Sequence, residues 1–368
     1  MTEAVTGRYL AELQRIPTSG ARAVEAFCVG GDDYIAVPQL AYDAPGTPAG
    51  MNGGTSNTDV KLFKRDGDQY VPAGILPGTG GEDAEFFTID GTPYLAIACI
   101  RMGSGPYNFN VGQPIYRWNG EGWEPFQTIL GYAAKQWRHF TIDGQHYLAL
   151  AQNRPGPKSV PSAVYRWNGE QFEYLQDIPS RGGYNFHAFE LDGVTYLAHA
   201  DHELPSALHR WDGKRFVPHQ DLVEIGGRAF VTFSDDTSTY MAVANIRFES
   251  VLLRWDGGKF VEQAVLDGGK GGRELTVIDT PAGLFVVRVN FITGGIQAPH
   301  PPLKSQVYKL EAGNLKLVDE YDTSGGTDVV PFTAPDGGIR LAVSNALNSD
   351  IGFATDSVIY RFDAEGNL

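Results

Sequence analysis

The chain holds only 2 cysteines among its 368 residues, Cys28 and Cys99, so no disulfide framework can carry the fold. Each lies in a strand-like apolar run and reads as a free, buried thiol in a reducing setting. Basic residues are scarce too: 29 Lys plus Arg against 44 Asp plus Glu leave a formal charge of −15. That sign repels nucleic acid and anionic membrane, so neither is expected as a partner. No run of about 18 apolar residues exists to span a bilayer. The N-terminus lacks a basic region followed by an apolar one, and no Asn-x-Ser/Thr sequon occurs, so the expected location is cytoplasmic. Glycine-rich phosphate loops, His-Glu-x-x-His, Cys-x-x-Cys and Gly-x-Ser-x-Gly are all missing. Nucleotide, zinc and serine-hydrolase chemistry therefore lack support, and no cofactor is required.

What is present is repetition. IYRWNGEGWEPFQTI (115–129) returns as VYRWNGEQFEYLQDI (164–178) and, more loosely, as HRWDGKRFVPHQDL (209–222). Another element precedes each copy, as in GEDAEFFTIDGTPYLAIA (81–98) and GYNFHAFELDGVTYLAHA (183–200). With degenerate forms there are seven such pairs. Asn-Gly and Asp-Gly between alternating apolar runs predict two-residue hairpins, because both turn positions need positive φ. Each copy thus reads as four antiparallel strands, A to D, and a repeat of about 44–55 residues means a β-propeller. The expected fold is all-β, one domain over 1–368. Its blades lie near 19–77, 78–130, 131–179, 180–223, 224–267, 268–321 and 322–368 plus 8–17. The last blade lacks its outer strand, and LAELQRI (10–16) fits the spacing of Phe172, Gln176 and Ile178. The two ends are expected to pair and close the ring without a free edge.

These marks (the aromatic A strand, Ile-Asp-Gly, Tyr-Leu-Ala and Tyr-Arg-Trp-Asn-Gly) resemble the epilepsy-associated or epitempin (EPTP) repeat. The resemblance implies a seven-bladed propeller. Animal members are cell-surface or secreted proteins that bind other proteins. Asp83-Ala84-Glu85 is similar to the family's Asp-Trp-Glu motif, whose acidic residues hold calcium in the channel of neuronal secreted members.

Consensus residues such as Trp118, Trp167, Trp211 and Trp255 recur because every blade needs them for packing. Chemistry belongs where symmetry breaks. Numbering from the A-strand aromatic (Phe87 in blade two), position −3 is apolar in every blade, from Val24 and Ala84 to Val329, and reads as core. By period-two alternation, positions −4 and −2 face the channel. They hold Glu25, Asp83, Glu85, Glu274 and Asp328 on blades six, seven, one and two, facing Arg138 and His187 on blades three and four. Hard oxygen donors around an axis suit Ca²⁺, with Asp83, Glu85, Glu25 and Asp328 as ligands. Carboxylates paired with Arg138 in a water-filled channel are the alternative.

The B–C connections are long in blades one (39–58), two (99–113), three (152–162), six (291–305) and seven (346–357). These blades are neighbours around the ring, so their loops are expected to wall a pocket. Its substrate-binding candidates are Tyr42, Met102, Tyr107, Phe109, Phe291 and Phe353, with Tyr184 from blade four. His199 and Arg288 interrupt an apolar B-strand column and read as satisfied internal groups, and His139 faces the core. Two functions follow. One is a small-molecule site with cofactor-independent acid–base chemistry (isomerase, cyclase, lyase or hydrolase). There Glu25, Asp83 or Glu85 is acid or base, and Arg138 and His187 orient the substrate. The other is a non-catalytic protein- or glycan-binding module using the same face.

Overall fold

Seven four-stranded antiparallel sheets make up the computed structural model, which describes residues 8–153 and 160–368. Among the described residues none is helical. The innermost strands are Glu25–Val29, Gly81–Ile89, Ala134–Ile142, Gly183–Leu191, Gly227–Ser234, Gly272–Thr280 and Gly326–Thr333. Blade core forms as expected at position −3, where Trp137 and Phe186 are fully buried and Val24, Ala84, Phe230, Leu275 and Val329 nearly so.

Closure follows the expected route: Leu10–Ile16 pairs antiparallel with Ser357–Phe362 and completes the last sheet. The repeated glutamine explains how blades are joined at the rim. Gln14 Nε2 donates to Tyr70 O (2.7 Å) and Tyr70 N donates to Gln14 Oε1 (2.8 Å), linking the closing strand to the next blade. Gln127 clamps Phe172, Gln176 clamps Phe216 and Gln220 clamps Phe260 in the same way. An amide presents one donor and one acceptor, which is what an unpaired outer-strand residue needs.

The A–B turns behave as Asp-Gly predicts: φ is positive at both Asp90 and Gly91, and at both Asp143 and Gly144. The C–D turns of blades two to five do not. At Asn119, Asn168, Asp212 and Asp256 only the following glycine is left-handed, and each loop spans four residues. The Asn or Asp side chain accepts from the backbone N–H groups two and three residues on, so side-chain capping replaces the two-residue turn. The cysteine expectation also needs correction: Cys99 is buried but Cys28 is exposed, on the outward side of its short strand.

Six of the inner strands carry a bulge near their start, as between Gly81 and Asp83 or Gly272 and Glu274. The glycine there is a close-approach residue. A Cβ on Gly183 would lie 2.7 Å from Gln152 O, and one on Gly326 would lie 2.8 Å from Asn290 O. One extra residue in the bulge interrupts the alternation, so position −5 joins −4 on the channel side.

Candidate functional site in the central channel

The inner strands line a cavity of about 360 Å³. Each inner strand is also the free edge of its sheet, so its channel-side N–H groups need acceptors. The −4 and −2 side chains supply them across the blade boundary. Asp83 Oδ2 accepts from Trp137 N (2.8 Å), Asp328 Oδ2 from Val24 N (3.0 Å) and Gln136 Oε1 from Phe186 N (2.6 Å). One step deeper, Glu25 Oε1 accepts from Phe86 N (3.1 Å) and Glu85 Oε1 from His139 N (2.7 Å). These acids therefore hold neighbouring blades together, and Asp328 uses its second oxygen on Val329 N (2.8 Å) as well.

The expected acidic residues do meet there. Glu25, Asp83, Glu85, Glu274 and Asp328 line the cavity with Arg138 and His187. Arg138 Nη1 lies 3.4 Å from Glu85 Oε2, and its Nε donates to Phe186 O (3.3 Å). Burial raises all five carboxyls, and repulsion by a neighbouring carboxylate adds to Glu25, Asp83 and Glu274. Glu25 and Asp83 stand well above their ordinary values, Glu85 is raised, Glu274 reaches about 8 and Asp328 about 6. Burial, then Arg138, lowers His187 to about 3, so the ring is neutral; its Nε2 lies 2.9 Å from Thr232 Oγ1.

For calcium the donors do not fit as they stand. Among the described residues no three His, Cys, Asp or Glu side chains draw close enough to hold a metal ion. Arg138 projects into the same cavity, and the ligand candidates Asp83, Glu85, Glu25 and Asp328 each commit an oxygen to a backbone N–H.

Position −5 contributes a second tier that strict alternation would bury in the sheet. Arg22, Lys135, Arg228 and Arg273 line the cavity with Tyr184 and a single carboxylate, Glu82. Glu82 Oε1 lies 2.9 Å from Lys135 Nζ and 3.7 Å from Arg22 Nε, and its Oε2 is 3.6 Å from Arg273 Nη2. These are charge contacts without hydrogen-bond alignment. Burial alone would raise Glu82, yet Lys135, Arg22 and Arg273 hold it near 2. Burial likewise pushes Tyr184 up, but Arg228, Lys135 and Arg273 outweigh it and bring the phenol to about 8. The channel thus has one carboxylate among four cations at its loop end and one arginine among five carboxylates below. The sequence did carry a signal for the upper tier: one polar residue per blade, two places before an all-apolar column.

The long loops do not stand as separate walls. Leu40, Ala41, Met51, Phe291, Ile292, Ala346, Leu347 and Phe353 form one buried cluster across blades one, six and seven. Among the proposed substrate contacts, Tyr184 lines the cavity, while Phe291 and Phe353 are buried in the loop cluster. Phe291 also lies under the guanidinium groups of Arg22 and Arg273, 5.3 and 5.1 Å from its ring centre. Tyr107 is spent on loop structure: its hydroxyl donates to Gly54 O (2.7 Å), and Arg101 stacks 3.7 Å above its ring. Phe109 is half-buried against Tyr132, and Tyr42 and Met102 are exposed. Residues 154–159 of the blade-three loop lie outside the described residues. His199 meets Ser162 Oγ at 3.0 Å, and Arg288 donates twice to Gln306 Oε1, with its Nη1 left unpartnered.

The EPTP domain matches residues 10–57, the closing strand with the first two strands of blade one, and 124–168, the outer strand of blade two with the first three strands of blade three. Over these two segments the chain is similar to the EPTP repeat. No curated protein matches it in sequence. Among solved structures, Saccharomyces cerevisiae Sqt1 superposes with TM-score 0.56 at 12% identity, over 95% of this chain and 98% of that one. BBS1N, solved in complex with ARL6DN, gives 0.60 at 11% identity, over 99% and 100%. SapL1 lectin, solved with alpha methyl fucoside, reaches 0.48 at 12% identity over 82% and 97%, too low to carry an argument. At such identities the likeness of this propeller to these structures concerns the fold alone.

Proposed function

We propose that this propeller binds a small polar molecule in its central channel, between the cationic and acidic tiers. The observation that carries this reading is the cavity of about 360 Å³, lined by polar groups from every blade and within the usual range for small-molecule sites. Acid–base chemistry on a bound molecule would fall to Glu25, Asp83 and Glu85, whose carboxyls burial raises above their ordinary values, with Arg138 orienting the substrate. A thermal-shift panel of amino acids, sugars and organic acids tests the binding claim. A stabilising compound should lose its effect in Glu85→Gln and Arg138→Ala, with the melting of the free variants little changed. The glutamine keeps the acceptor for His139 N, and the Arg138 side chain is 38% exposed. A compound that stabilises both variants as it does the parent refutes the channel site.

One observation favours a second reading. Tyr42, Met102, Phe248 and Ile296 stay exposed on the B–C loops, a surface suited to a partner protein. In that case Tyr42→Ser and Ile296→Ser would weaken binding of the partner while Arg138→Ala would not.

A further inference from the structure

The upper tier is unusual in how its cations are held. Arg22 and Arg228 are only 5% and 7% exposed, and both line the cavity. Yet Arg22 Nε and Arg228 Nε and Nη1 are buried without a hydrogen-bond partner. Their support comes from ring faces instead. Phe291 lies beneath Arg22 and Arg273, and Arg228 sits 3.5 Å above the ring of Tyr184, with Lys135 5.1 Å from the same ring. An aromatic face fixes a guanidinium by its plane and leaves the N–H edge free to bond in the fork geometry that suits oxyanions. Phe291 is itself locked into the loop cluster, so the long B–C loops position the tier.

Charge leads to the same place. One internal carboxylate, Glu82, answers four buried cations, and buried polar N–H groups left unpaired are costly. Among the acids below, Arg273 also faces Glu274 and Asp328, but burial holds Glu274 largely in its neutral form near pH 7. A cluster assembled at such cost is poised for a charge that arrives from outside the protein.

We propose that the upper tier is an oxyanion site, taking the carboxylate or phosphoryl group of a small ligand between Arg22, Arg228 and Arg273. This rests on the channel reading above and deepens it: the ligand is an anion, entered head-first at the loop end. Its remaining polar groups would face Arg138 and the acids below.

The test uses the full chain with inorganic phosphate and, separately, malonate as probes, against potassium chloride of equal ionic strength. Either probe should raise Tm beyond the chloride control in the parent, with a mass-action dependence on concentration. In Arg228→Gln the apparent Kd should weaken about tenfold or more, the usual loss for a charge-assisted hydrogen bond. Without probe, Arg228→Gln should melt at or above the parent temperature, because it removes an unpartnered buried charge from a like-charged group. The larger response identifies the head group as phosphoryl or carboxylate, and either supports the site. The proposal is overturned if neither probe exceeds chloride, or if Arg228→Gln responds like the parent. A neutral ligand that binds the parent and Arg228→Gln alike but not Arg138→Ala would leave the channel reading standing and sink the oxyanion site.

Discussion

Replacing Glu82 with glutamine should be among the most damaging isosteric changes in this protein. The side chain is 2% exposed and, among the described residues, is the only carboxylate at its level of the channel, in charge contact with Lys135, Arg22 and Arg273 at 2.9–3.7 Å. At an effective dielectric of about 20, each contact is worth roughly 4–6 kcal/mol before desolvation is counted. Most of that gain is offset by taking the ions out of water. Removing one partner still leaves uncompensated buried charge, at about 3–5 kcal/mol. The position of the carboxyl gives a similar figure. Held near 2 against an ordinary 4.5, it corresponds to roughly 3 kcal/mol of stabilisation. A folded-state value below the unfolded one means this contribution is present above about pH 4.5 and is lost as pH falls through about 2. Urea unfolding at neutral pH should show the loss as a lower midpoint at unchanged slope. Adding Arg228→Gln to Glu82→Gln should recover part of it, since one fewer cation then lacks a counter-charge. A Glu82→Gln protein as stable as the parent at pH 7 would mean that water or bulk ions already neutralise the tier, and the reasoning would fail.

Two further outcomes are expected. Deleting residues 1–17 removes the strand paired with Ser357–Phe362 and the Gln14 clamp on Tyr70, so the ring should open and cooperative melting should broaden or vanish; a truncated chain that melts like the intact one contradicts closure by pairing. Glu274, raised to about 8 by burial and then by Asp328, keeps a proton that the unfolded chain releases near 4.5. Its contribution to stability is therefore full below about pH 4.5 and lost as pH rises through about 8. Glu274→Gln should flatten the fall in stability between about pH 5 and 8, and an unchanged slope in chemical denaturation would rule this out.

Local rules decided much of this protein before any contact was known. Tyr-Arg-Trp-Asn-Gly recurs because each blade needs the same core and turn residues, so repetition alone defined seven sheets and their order. The spacing of Leu10–Ile16 against Phe172, Gln176 and Ile178 defined the closure, because the rim clamp of Gln14, Gln127, Gln176 and Gln220 uses an amide at the same place in the outer strand. The −4 and −2 columns were equally legible, since alternation is a local property of extended backbone, and they led to Glu25, Asp83, Glu85, Arg138 and His187. Three things needed the folded ring. The C–D loops are capped by side chains because their Asn and Asp have backbone N–H groups within reach. The loops between B and C collapse onto Phe291 and Phe353 because neighbouring blades bring their apolar residues together. The cationic tier exists because a bulge at the start of the inner strand, after Ala134, Gly227 and Gly272, turns Lys135, Arg228 and Arg273 toward the axis, where they meet Arg22 from a segment distant in sequence. Periodicity assigns a face to each side chain only while the register holds, and the register is broken where blades crowd together around the channel.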